Sequence, residues 1–391
     1  MNVCMVAYSY YQTDHRIINY AESLVERGCR VDFIGLKKAT KTKRFMRLKG
    51  VDLYSIQSRN HNEQSIFSYL YKMMTFFLIG CLFLLWQHLR RSYRIIHIHN
   101  VPDWLVFMAF LPKLLGAKVI LDIHDIFPEF YCQKFNKSSD SFLAQLALKV
   151  EKLSVSFADY VIVANDLWVK KLRSRSKKSP HKFCAILNYP RWELIKKSVP
   201  HTTKKYFTIV YPGTISHLHG VDIAIKAMPL VTKKIPQARL HIYGLAGNAD
   251  YYQELHALIE KLNLNGKVEL FEPVHHEELA KIYENAYIGV VPKRNGIFSS
   301  EAFSTKIFDF MAAGLPVVAS RTKIDLHYFD DSMIMFFEPE NHMDLAKCIV
   351  NLYKDKKTRE SLVKQSRQFL AQNNWSVRKK EYYRIVDQLA G

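Results

Sequence analysis

Residues 299–320 read SSEAFSTKIFDFMAAGLPVVAS, which predicts a loop, a helix, a turn and a strand in that order. Apolar side chains recur at helical spacing from Ile307 to Ala312 and would give the helix a buried face. Gly314 can end this helix, because glycine takes the left-handed C-terminal conformation without a steric cost. Pro316 then fits the start of a strand, so the stretch predicts a helix–strand unit.

Charged and hydroxyl side chains surround the predicted start of this helix. A helix N-terminus carries unpaired N–H groups and the positive end of the helix dipole, so it attracts phosphate, and Lys306 adds a full positive charge there. Glu301 is placed to accept hydrogen bonds from hydroxyl groups, and Asp309 could hold a second hydroxylated group. Phosphate flanked by two polyols describes a nucleotide-sugar. The alternative is a charged helix start without a ligand, and the rest of the chain has to distinguish them.

The composition is typical of a globular protein with a large core. The chain has 391 residues, which is enough for two domains, and it is 49% hydrophobic and 24% charged. Its six cysteines are scattered without a C-x-x-C pair, which favours reduced thiols in a cytoplasmic protein over a disulfide framework or a zinc site. Residues 1–7 read directly as a strand, so we expect no signal peptide.

Positive charge is concentrated in the first half of the chain. Residues 1–200 contain 31 Lys+Arg and 15 Asp+Glu, a net charge of +16, whereas residues 201–391 contain 25 and 21, a net charge of +4. Such an imbalance indicates a polyanionic partner surface, either nucleic acid or anionic lipid. The basic residues are not interleaved with aromatic ones in any recognised nucleic-acid module, which favours lipid.

Strand and helix patterns alternate in two consecutive series, starting at residues 2–7 and 207–211. This alternation predicts an α/β protein with two Rossmann-like domains facing a cleft. We expect the first domain at 1–198 and the second at 206–373, with a polar linker at 196–206.

An apolar run at 73–86 lies inside the first series, preceded by Lys72 and followed by Arg90 and Arg91. Its fourteen residues are fewer than the about 20 that a membrane span needs. Three interpretations stay open: a core helix, a helix seated in the membrane interface with its basic flanks on anionic headgroups, and a transmembrane helix.

Several motifs together resemble glycosyltransferase family 4, whose members are retaining enzymes with the GT-B fold. The run KIFDFMAAGLPV at 306–317 is similar to the family's K-x-x-E-x-M-A-x-G-x-P-V, and Glu301 with Asp309 looks like its E-x7-E pair, with Asp in place of the second Glu. Residues 211–215 with 220–222 look like the turn that opens the second domain. The end of the chain, about 374–391, looks like the C-terminal helix that returns to the first domain.

The resemblance implies a site for a nucleotide-sugar donor in the second domain. Glu301 would contact the donor sugar and Asp309 the ribose, while Lys306 would bind the diphosphate with the backbone N–H groups of residues 303–305. The diphosphate site departs from the family pattern, since Thr214 stands where the family usually has Arg and His219 where it usually has Lys. The remaining donor-side candidates are Phe303, Ser304, Thr305, Gly213, Thr214 and His219, with Lys293 and Arg294 as cations that could compensate for the missing pair.

Histidines and acids follow two predicted strands of the first domain. The segment around His124 resembles the one whose histidine lies beside the reacting sugar, so His124 is expected to stabilise the sugar or the acceptor. Two interpretations stay open for Asp125, which could orient an acceptor hydroxyl or simply cap the following turn. His97 and His99 fall on one face of a strand, and either could be purely structural. No ligand spacing supports a metal site. The other candidates on the acceptor side are Asp14, Arg16, His99 and Glu129.

The resemblance implies a retaining glycosyltransferase, and we expect it to move a sugar from a UDP- or GDP-linked donor to an acceptor hydroxyl without a cofactor. The basic first domain and the apolar helix suggest a lipid-linked or surface-glycan acceptor, as in polysaccharide, lipopolysaccharide or capsule synthesis. We therefore expect a cytoplasmic protein, peripheral on the inner face of the cytoplasmic membrane. The alternatives are a sugar-nucleotide epimerase of the same fold and an inactive nucleotide-sugar-binding scaffold. Sugar, base, linkage and oligomeric state do not follow from the sequence.

Overall fold

Two separate β-sheets organise the protein. The computed structural model describes residues 1–38, 43–59, 66–176, 180–191, 206–245, 247, 249–274 and 276–391. These residues form two units, one containing residues 1–188 and 378–391 and the other containing residues 189–377. Residues 196–205 of the predicted linker lie outside the described residues.

The first unit has an eight-stranded sheet in the order β3-β4-β2-β1-β5-β6-β7-β8. Its neighbours are parallel, apart from the antiparallel pair β3 and β4. The short strand β3 was not predicted. The strands are β1 (Asn2–Ala7), β2 (Arg30–Lys38), β3 (Phe45–Leu48), β4 (Val51–Arg59), β5 (Ile95–His99), β6 (Lys118–Ile123), β7 (Tyr160–Val163) and β8 (Phe183–Ala185).

The second unit has a six-stranded sheet in the order β11-β10-β9-β12-β13-β14, and all its pairs are parallel. Both sheets confirm the predicted α/β class with two Rossmann-like domains. The strands are β9 (Phe207–Pro212), β10 (Ala238–Tyr243), β11 (Val268–Phe271), β12 (Ile288–Val291), β13 (Val317–Ser320) and β14 (Met335–Phe337).

Helices connect the strands in both units. In the first unit they are α1 (His15–Glu26), α2 (Ile66–Arg91), α3 (Phe110–Leu114), α4 (Phe127–Lys134), α5 (Phe142–Phe157) and α6 (Asp166–Ser176). In the second they are α7 (Val221–Lys234), α8 (Ala249–Lys261), α9 (His276–Glu284), α10 (Thr305–Ala313), α11 (Lys323–Tyr328), α12 (His342–Lys354) and α13 (Lys356–Gln372), and α14 (Trp375–Ala390) ends the chain.

The stretch at 299–320 forms the helix and strand that its sequence predicts. Helix α10 buries its apolar face, including Ile307 and Met311, and Gly314 ends it with a φ of +72°. The N–H of Gly314 donates to the carbonyl of Met311, which satisfies one of the last free carbonyl groups. The chain then enters β13, whose four residues are all buried.

The last residues of the chain pack on the first unit. Asp387 forms an ion pair with Arg27 at 2.9 Å, and Lys379 forms one with Glu26 at 2.7 Å. The buried ring of Tyr382 meets His97 through a 3.1 Å hydrogen bond between the hydroxyl and Nδ1. The predicted return of the C-terminal helix to the first domain therefore has specific contacts.

Helix α2 is both a core helix and an exposed one. One face is buried, with Phe76 and Leu84 at 0% exposure, while Leu82 on the other face is 73% exposed. By length and composition, residues 68–91 could cross a membrane, and 22% of the apolar window is buried. However, α2 links β4 to β5, two strands of one sheet, and a crossing would place these strands on opposite sides of a bilayer. This connection contradicts the transmembrane interpretation.

The two faces of α2 should respond differently to truncation. We expect Phe76→Ala to lower the free energy of unfolding of the first unit by about 3–5 kcal/mol, because it leaves a cavity in the core. Leu82→Ala removes a side chain that already contacts solvent and should change it by less than about 0.5 kcal/mol. Urea unfolding followed by circular dichroism measures both. Equal losses would contradict the orientation of the helix.

Candidate functional site

A lysine lies against a glycine at the start of α10. A Cβ atom at Gly213 would come within 2.4 Å of Lys306 Cε and 2.9 Å of its Nζ, so glycine leaves the room that this side chain occupies. The φ of Gly213 is +129°, a conformation that also favours glycine. The Lys306 ammonium lies 5.2 Å from the centre of the Tyr211 ring. Two predicted donor ligands, Gly213 and Lys306, are thus brought together.

The surroundings of Lys306 disfavour its positive charge. Burial lowers the pKa of Lys306 to about 8, an effect that Asp309 opposes and Lys293 strengthens. Burial, followed by the charges of Lys306 and Lys293, lowers the pKa of His219 to about 3. His219 is therefore neutral near pH 7, and its Nδ1 lies 2.7 Å from Ser216 Oγ. An anion bound here would offset the repulsion between Lys306 and Lys293 and would favour the protonated form of Lys306.

The N-terminus of α10 contributes further positive character. Ser304 is the N-cap of α10, and among the described residues its side chain makes no hydrogen bond to the first turn of the helix. The first N–H groups of a helix have no partner within the helix, and they carry part of the helix dipole. Lys306 and the start of α10 together offer an anion a charge and backbone donors.

Lys293 and Arg294, the two cations expected to compensate for the missing Arg/Lys pair, have other partners. Lys293 Nζ lies 2.8 Å from Asp325 Oδ2 and donates to the carbonyl of Ala302 at 2.9 Å. Arg294 donates to both carboxylate oxygens of Asp222, at 2.7 and 2.8 Å. Lys293 remains near enough to influence Lys306, but its own charge is neutralised. These contacts do not support a diphosphate role for Arg294.

The two acids of the motif differ in their environments. Glu301 is 7% exposed, and its Oε1 accepts from Lys323 Nζ at 2.7 Å. Asp309 is half-buried one turn after Lys306 and favours the charge of that lysine. The ring of Phe303 packs on Phe308 with centroids 4.8 Å apart, which anchors the segment between Glu301 and α10.

Two residues flanking these groups are more exposed. Thr214 is exposed, and its carbonyl accepts from the Tyr211 hydroxyl at 2.9 Å. Thr305 is exposed at the first position of α10. Neither side chain brings a charge to Lys306.

A buried carboxylate organises the polar centre of the first unit. Asp122, at 0% exposure, receives two hydrogen bonds from the Arg16 guanidinium, from Nε at 2.8 Å and from Nη2 at 2.7 Å. Its Oδ2 also lies 3.0 Å from His99 Nδ1 and 2.9 Å from His124 Nε2. Because β5 and β6 are parallel with His99 opposite Asp122, all these groups meet at the carboxyl edge of the sheet.

The three histidines of this cluster differ in the direction of their pKa shifts. Burial lowers the pKa of His97 and His99. Burial also disfavours protonation of His124, but the Asp122 charge and hydrogen bond outweigh it and raise the pKa. Burial would likewise raise the pKa of Asp122, but Arg16 and His124 hold it well below its usual range. With a side chain 22% exposed, His124 is the member of the cluster able to act as a cationic donor.

Asn100 fixes the segment that carries His124. Its Oδ1 accepts from the His124 N–H at 2.7 Å, and its Nδ2 donates to the Asp125 carbonyl at 2.8 Å. Burial raises the pKa of Asp125, an effect that the charge of His124 opposes. His124 and Asp125 are thus held together next to Asp122.

The acceptor-side candidates separate into different places. Asp14 caps α1 by accepting from the Ile17 N–H at 3.2 Å, and it lines a cavity of about 350 Å³. Arg16 is 5% exposed and occupied by Asp122, so it supports the cluster and is not available to an acceptor. The cavity is lined by Tyr8, Ser9, Tyr10, Thr13, Asp14, His15, Leu36, Arg59 and Asn188.

Glu129 lies outside both groups of site residues. It is 8% exposed and pairs with Arg175, which also contacts Glu151 at 3.2 Å. The acceptor role expected for Glu129 is therefore not supported by its contacts, since its carboxylate joins α4 to α6.

The donor atoms of His97, His99 and Asp122 all lie within 4.8 Å of one another, a spacing that a metal ion could use. The Arg16 guanidinium, however, already occupies both oxygens of Asp122 and would repel a cation there. The contacts therefore describe a hydrogen-bond network more naturally than a metal site.

Sequence reasoning missed Asp122 and Asn100 as site residues. The signal for Asp122 was present, because Asp122 and His124 are two residues apart at the end of a strand and so point to one side. Asn100 follows β5 directly, where the carboxyl edge of a parallel sheet begins. Their roles depend on partners far along the chain, which spacing alone does not identify.

Family comparisons cover almost the whole chain. A model described as glycosyl transferase 4-like domain matches residues 15–188, and one described as glycosyl transferases group 1 matches residues 191–369. The two matches correspond closely to the two units of the structure.

Curated relatives are distant and longer than the matched stretch. The gpi3 subunit of the phosphatidylinositol N-acetylglucosaminyltransferase of Schizosaccharomyces pombe is 22% identical over 68% of this chain and 55% of its own length. The D-inositol 3-phosphate glycosyltransferase of an Arthrobacter species is 26% identical over 46% of this chain and 44% of its own. The chain thus spans about half the length of the curated relatives it matches.

Solved structures share the fold over nearly the entire chain. The sucrose-phosphate synthase of Thermosynechococcus elongatus superposes with a TM-score of 0.77 at 19% identity and covers 99% of this chain and 98% of that one. Anabaena HepE, solved in complex with UDP-glucose, gives a TM-score of 0.73 at 14% identity, covering 99% and 100%. The parallel sheets and these neighbours show the GT-B fold. The two family matches, at residues 15–188 and 191–369, show that the chain belongs to the family 4-like glycosyltransferases.

Proposed function

We propose that this protein transfers a sugar from a nucleoside diphosphate sugar to an acceptor hydroxyl with retention of the anomeric configuration. The observation that carries the proposal is the placement of Lys306 against Gly213 at the start of α10. A bound anion would raise the lowered pKa of Lys306 at this position. UDP-sugars are the first donors to test, because HepE was solved with UDP-glucose, and GDP-sugars are the second.

The donor site would use the second unit for charge and for sugar recognition. Lys306 and the first N–H groups of α10 would stabilise the charge that develops on the leaving diphosphate, so this step needs no metal ion. Glu301 would accept hydrogen bonds from the donor sugar, and Asp309 from the ribose. We name no enzymic nucleophile. The leaving phosphate oxygen would take the acceptor proton on the same face of the sugar.

The first unit would supply the acceptor side. Protonated His124 would donate a hydrogen bond to the substrate, with Asp125 beside it, and Asp14 would contact the acceptor from the cavity that it lines. A lipid-linked acceptor agrees with the names of the phosphatidylinositol-specific relatives and with the basic, apolar character of this unit. We accordingly propose a cytoplasmic protein, peripheral on the inner face of the membrane.

Removing Lys306 or Glu301 should abolish transfer without unfolding the protein. Lys306→Ala and Glu301→Ala should each lower the transfer rate at least about 100-fold, because each deletes a contact to the charged or reacting part of the donor. Lys306→Ala should also eliminate the rise in melting temperature that a UDP-sugar gives the wild type. Lys364→Ala, an exposed lysine of α13, is the matched control.

The same assays separate the proposed function from its alternatives. Full activity of either variant would refute the donor site. Conversion of the nucleotide-sugar to an isomer without an acceptor would identify an epimerase. Binding without transfer or hydrolysis would identify an inactive scaffold. A screen across UDP-, GDP-, ADP- and CMP-sugars by thermal shift selects the donor for these tests.

Donor affinity should fall at high pH because the diphosphate needs protonated Lys306. With a pKa of about 8, Lys306 loses its charge above that pH in the free protein, so the dissociation constant should then rise by up to about tenfold per pH unit. Titration calorimetry with UDP from pH 7 to about 9.5 measures this slope. Lys306→Arg keeps its charge over the range and should remove the slope. A slope that persists in this variant would contradict the assignment.

The Asp122 carboxylate should set the protonation of His124. Asp122→Asn removes the charge that raises the pKa of His124, so the pKa should fall by about one unit or more, as NMR titration of the ring would show. The variant also leaves Arg16 buried without its counter-ion, which should destabilise the first unit by about 3 kcal/mol or more. Asp52→Asn, another buried ion-paired aspartate, should leave the His124 titration unchanged.

A further inference from the structure

Three helices of the first unit lie on one face of its sheet. The connections from β4 to β5, from β5 to β6 and from β6 to β7 all advance in the same direction along the strand order. Right-handed connections of this kind place their helices on a common face. Ring contacts join the elements on this face. Phe77 of α2 packs against Trp104, which lies between β5 and α3, at 5.0 Å, and Phe110 of α3 stacks on Phe157 of α5 at 6.3 Å.

This face exposes an unusual amount of apolar surface. Leu82 of α2 is 73% exposed, Leu114 of α3 is 70% exposed and Phe142 of α5 is 80% exposed. Sixteen of the 29 exposed large apolar side chains among the described residues lie on α2, on α3 and the residue directly after it, and on α5. They are Leu70, Tyr71, Met74, Leu78, Ile79, Leu82, Trp86, Leu89, Phe110, Leu111, Leu114, Leu115, Phe142, Leu143, Leu146 and Leu153. Patches of this kind mark interaction surfaces.

The solvent-accessible charges of the same helices are positive. Helices α2 and α3 contain no acidic residue in their sequences, and the acid of α5, Glu151, is 2% exposed and bound to Arg175. Arg90 stacks on the Trp86 ring at 4.5 Å, a pairing of aromatic and cation that suits a membrane interface. Arg90, Lys149 and Lys152 are exposed and Lys72 is half-buried. Two further cations, Arg91 and Lys113, are taken up by ion pairs with Asp32 and Asp52 and with Asp159.

We propose that this face, formed by the exposed sides of α2, α3 and α5, docks in the plane of a bilayer that carries anionic headgroups. Its apolar side chains would insert at the boundary between the headgroups and the acyl chains, and its exposed cations would contact lipid phosphates. The charge complementarity favours a lipid surface over a second copy of this chain, since two positive faces would repel each other. This docking surface rests on the proposed function, because a lipid-linked acceptor is the substrate that would require the protein to bind a membrane.

Vesicle binding by the whole 391-residue chain tests this docking surface. We expect the wild type to co-sediment with vesicles of phosphatidylcholine and phosphatidylglycerol, and about tenfold more weakly with phosphatidylcholine alone. The triple variant Leu82→Glu/Leu114→Glu/Phe142→Glu should bind the anionic vesicles at least about tenfold more weakly, because three exposed apolar anchors are lost. The control Leu230→Glu/Leu326→Glu/Met343→Glu changes three exposed apolar residues of the second unit and should bind like the wild type.

A second variant covers the case in which the first does not fold. Lys149→Glu/Lys152→Glu reverses two exposed charges of α5 and should weaken binding to the anionic vesicles alone. Wild-type binding by either folded variant overturns the proposal. The proposal is also overturned if the wild type does not bind vesicles but forms dimers, and the triple variant no longer forms them. UDP binding, measured on the same samples, reports the donor site separately, so loss of docking with normal UDP binding leaves the proposed function standing.

Discussion

The polar centre of the first unit depends on the buried pair between Asp122 and Arg16. A carboxylate at 0% exposure is costly without compensation, and the guanidinium provides it through two short hydrogen bonds. Once Asp122 is fixed as an anion, it orients His99 and His124 and favours the protonated form of His124. Arg16 also donates to the Ile186 carbonyl at 2.5 Å, so the pair ties α1 to the segment after β8. One ion pair thus supports both the packing and the chemistry of this edge.

The second unit meets a related electrostatic problem, because no ion pair holds Lys306 among the residues that the structure describes. Lys306 is held near Gly213 and Tyr211, with Asp309 one turn away, and its pKa falls to about 8. Asp122 has its counter-ion in the folded chain, whereas Lys306 remains under-compensated. A position that the protein leaves under-compensated is suited to an anionic ligand, because binding then supplies the missing charge. This contrast distinguishes a structural ion pair from a candidate binding site.

The sequence was informative where a pattern is local. The helix and strand at 299–320 follow from periodicity, the glycine stop and proline placement, and the two α/β series gave the fold class. The neighbourhood of Gly213 and Lys306 was expected from the family resemblance. Arg294 and Glu129 were not predictable in this way, because their contacts with Asp222 and Arg175 join residues 72 and 46 positions apart. The same limit explains Arg16, whose partner lies 106 positions along the chain.

The substitution of His219 for the usual lysine has a physical consequence that residue type alone does not show. A histidine could in principle carry a charge, but burial together with Lys306 and Lys293 lowers its pKa to about 3, so it enters the site as a neutral ring. Lys293 is neutralised by Asp325 at 2.8 Å, and Arg294 is taken up by Asp222. Of these four groups, Lys306 is therefore the one left to give a diphosphate a full charge. The start of α10 must provide the rest through its N–H groups, whose strength does not depend on pH. In this chain, backbone donors would replace part of the charge that side chains usually supply.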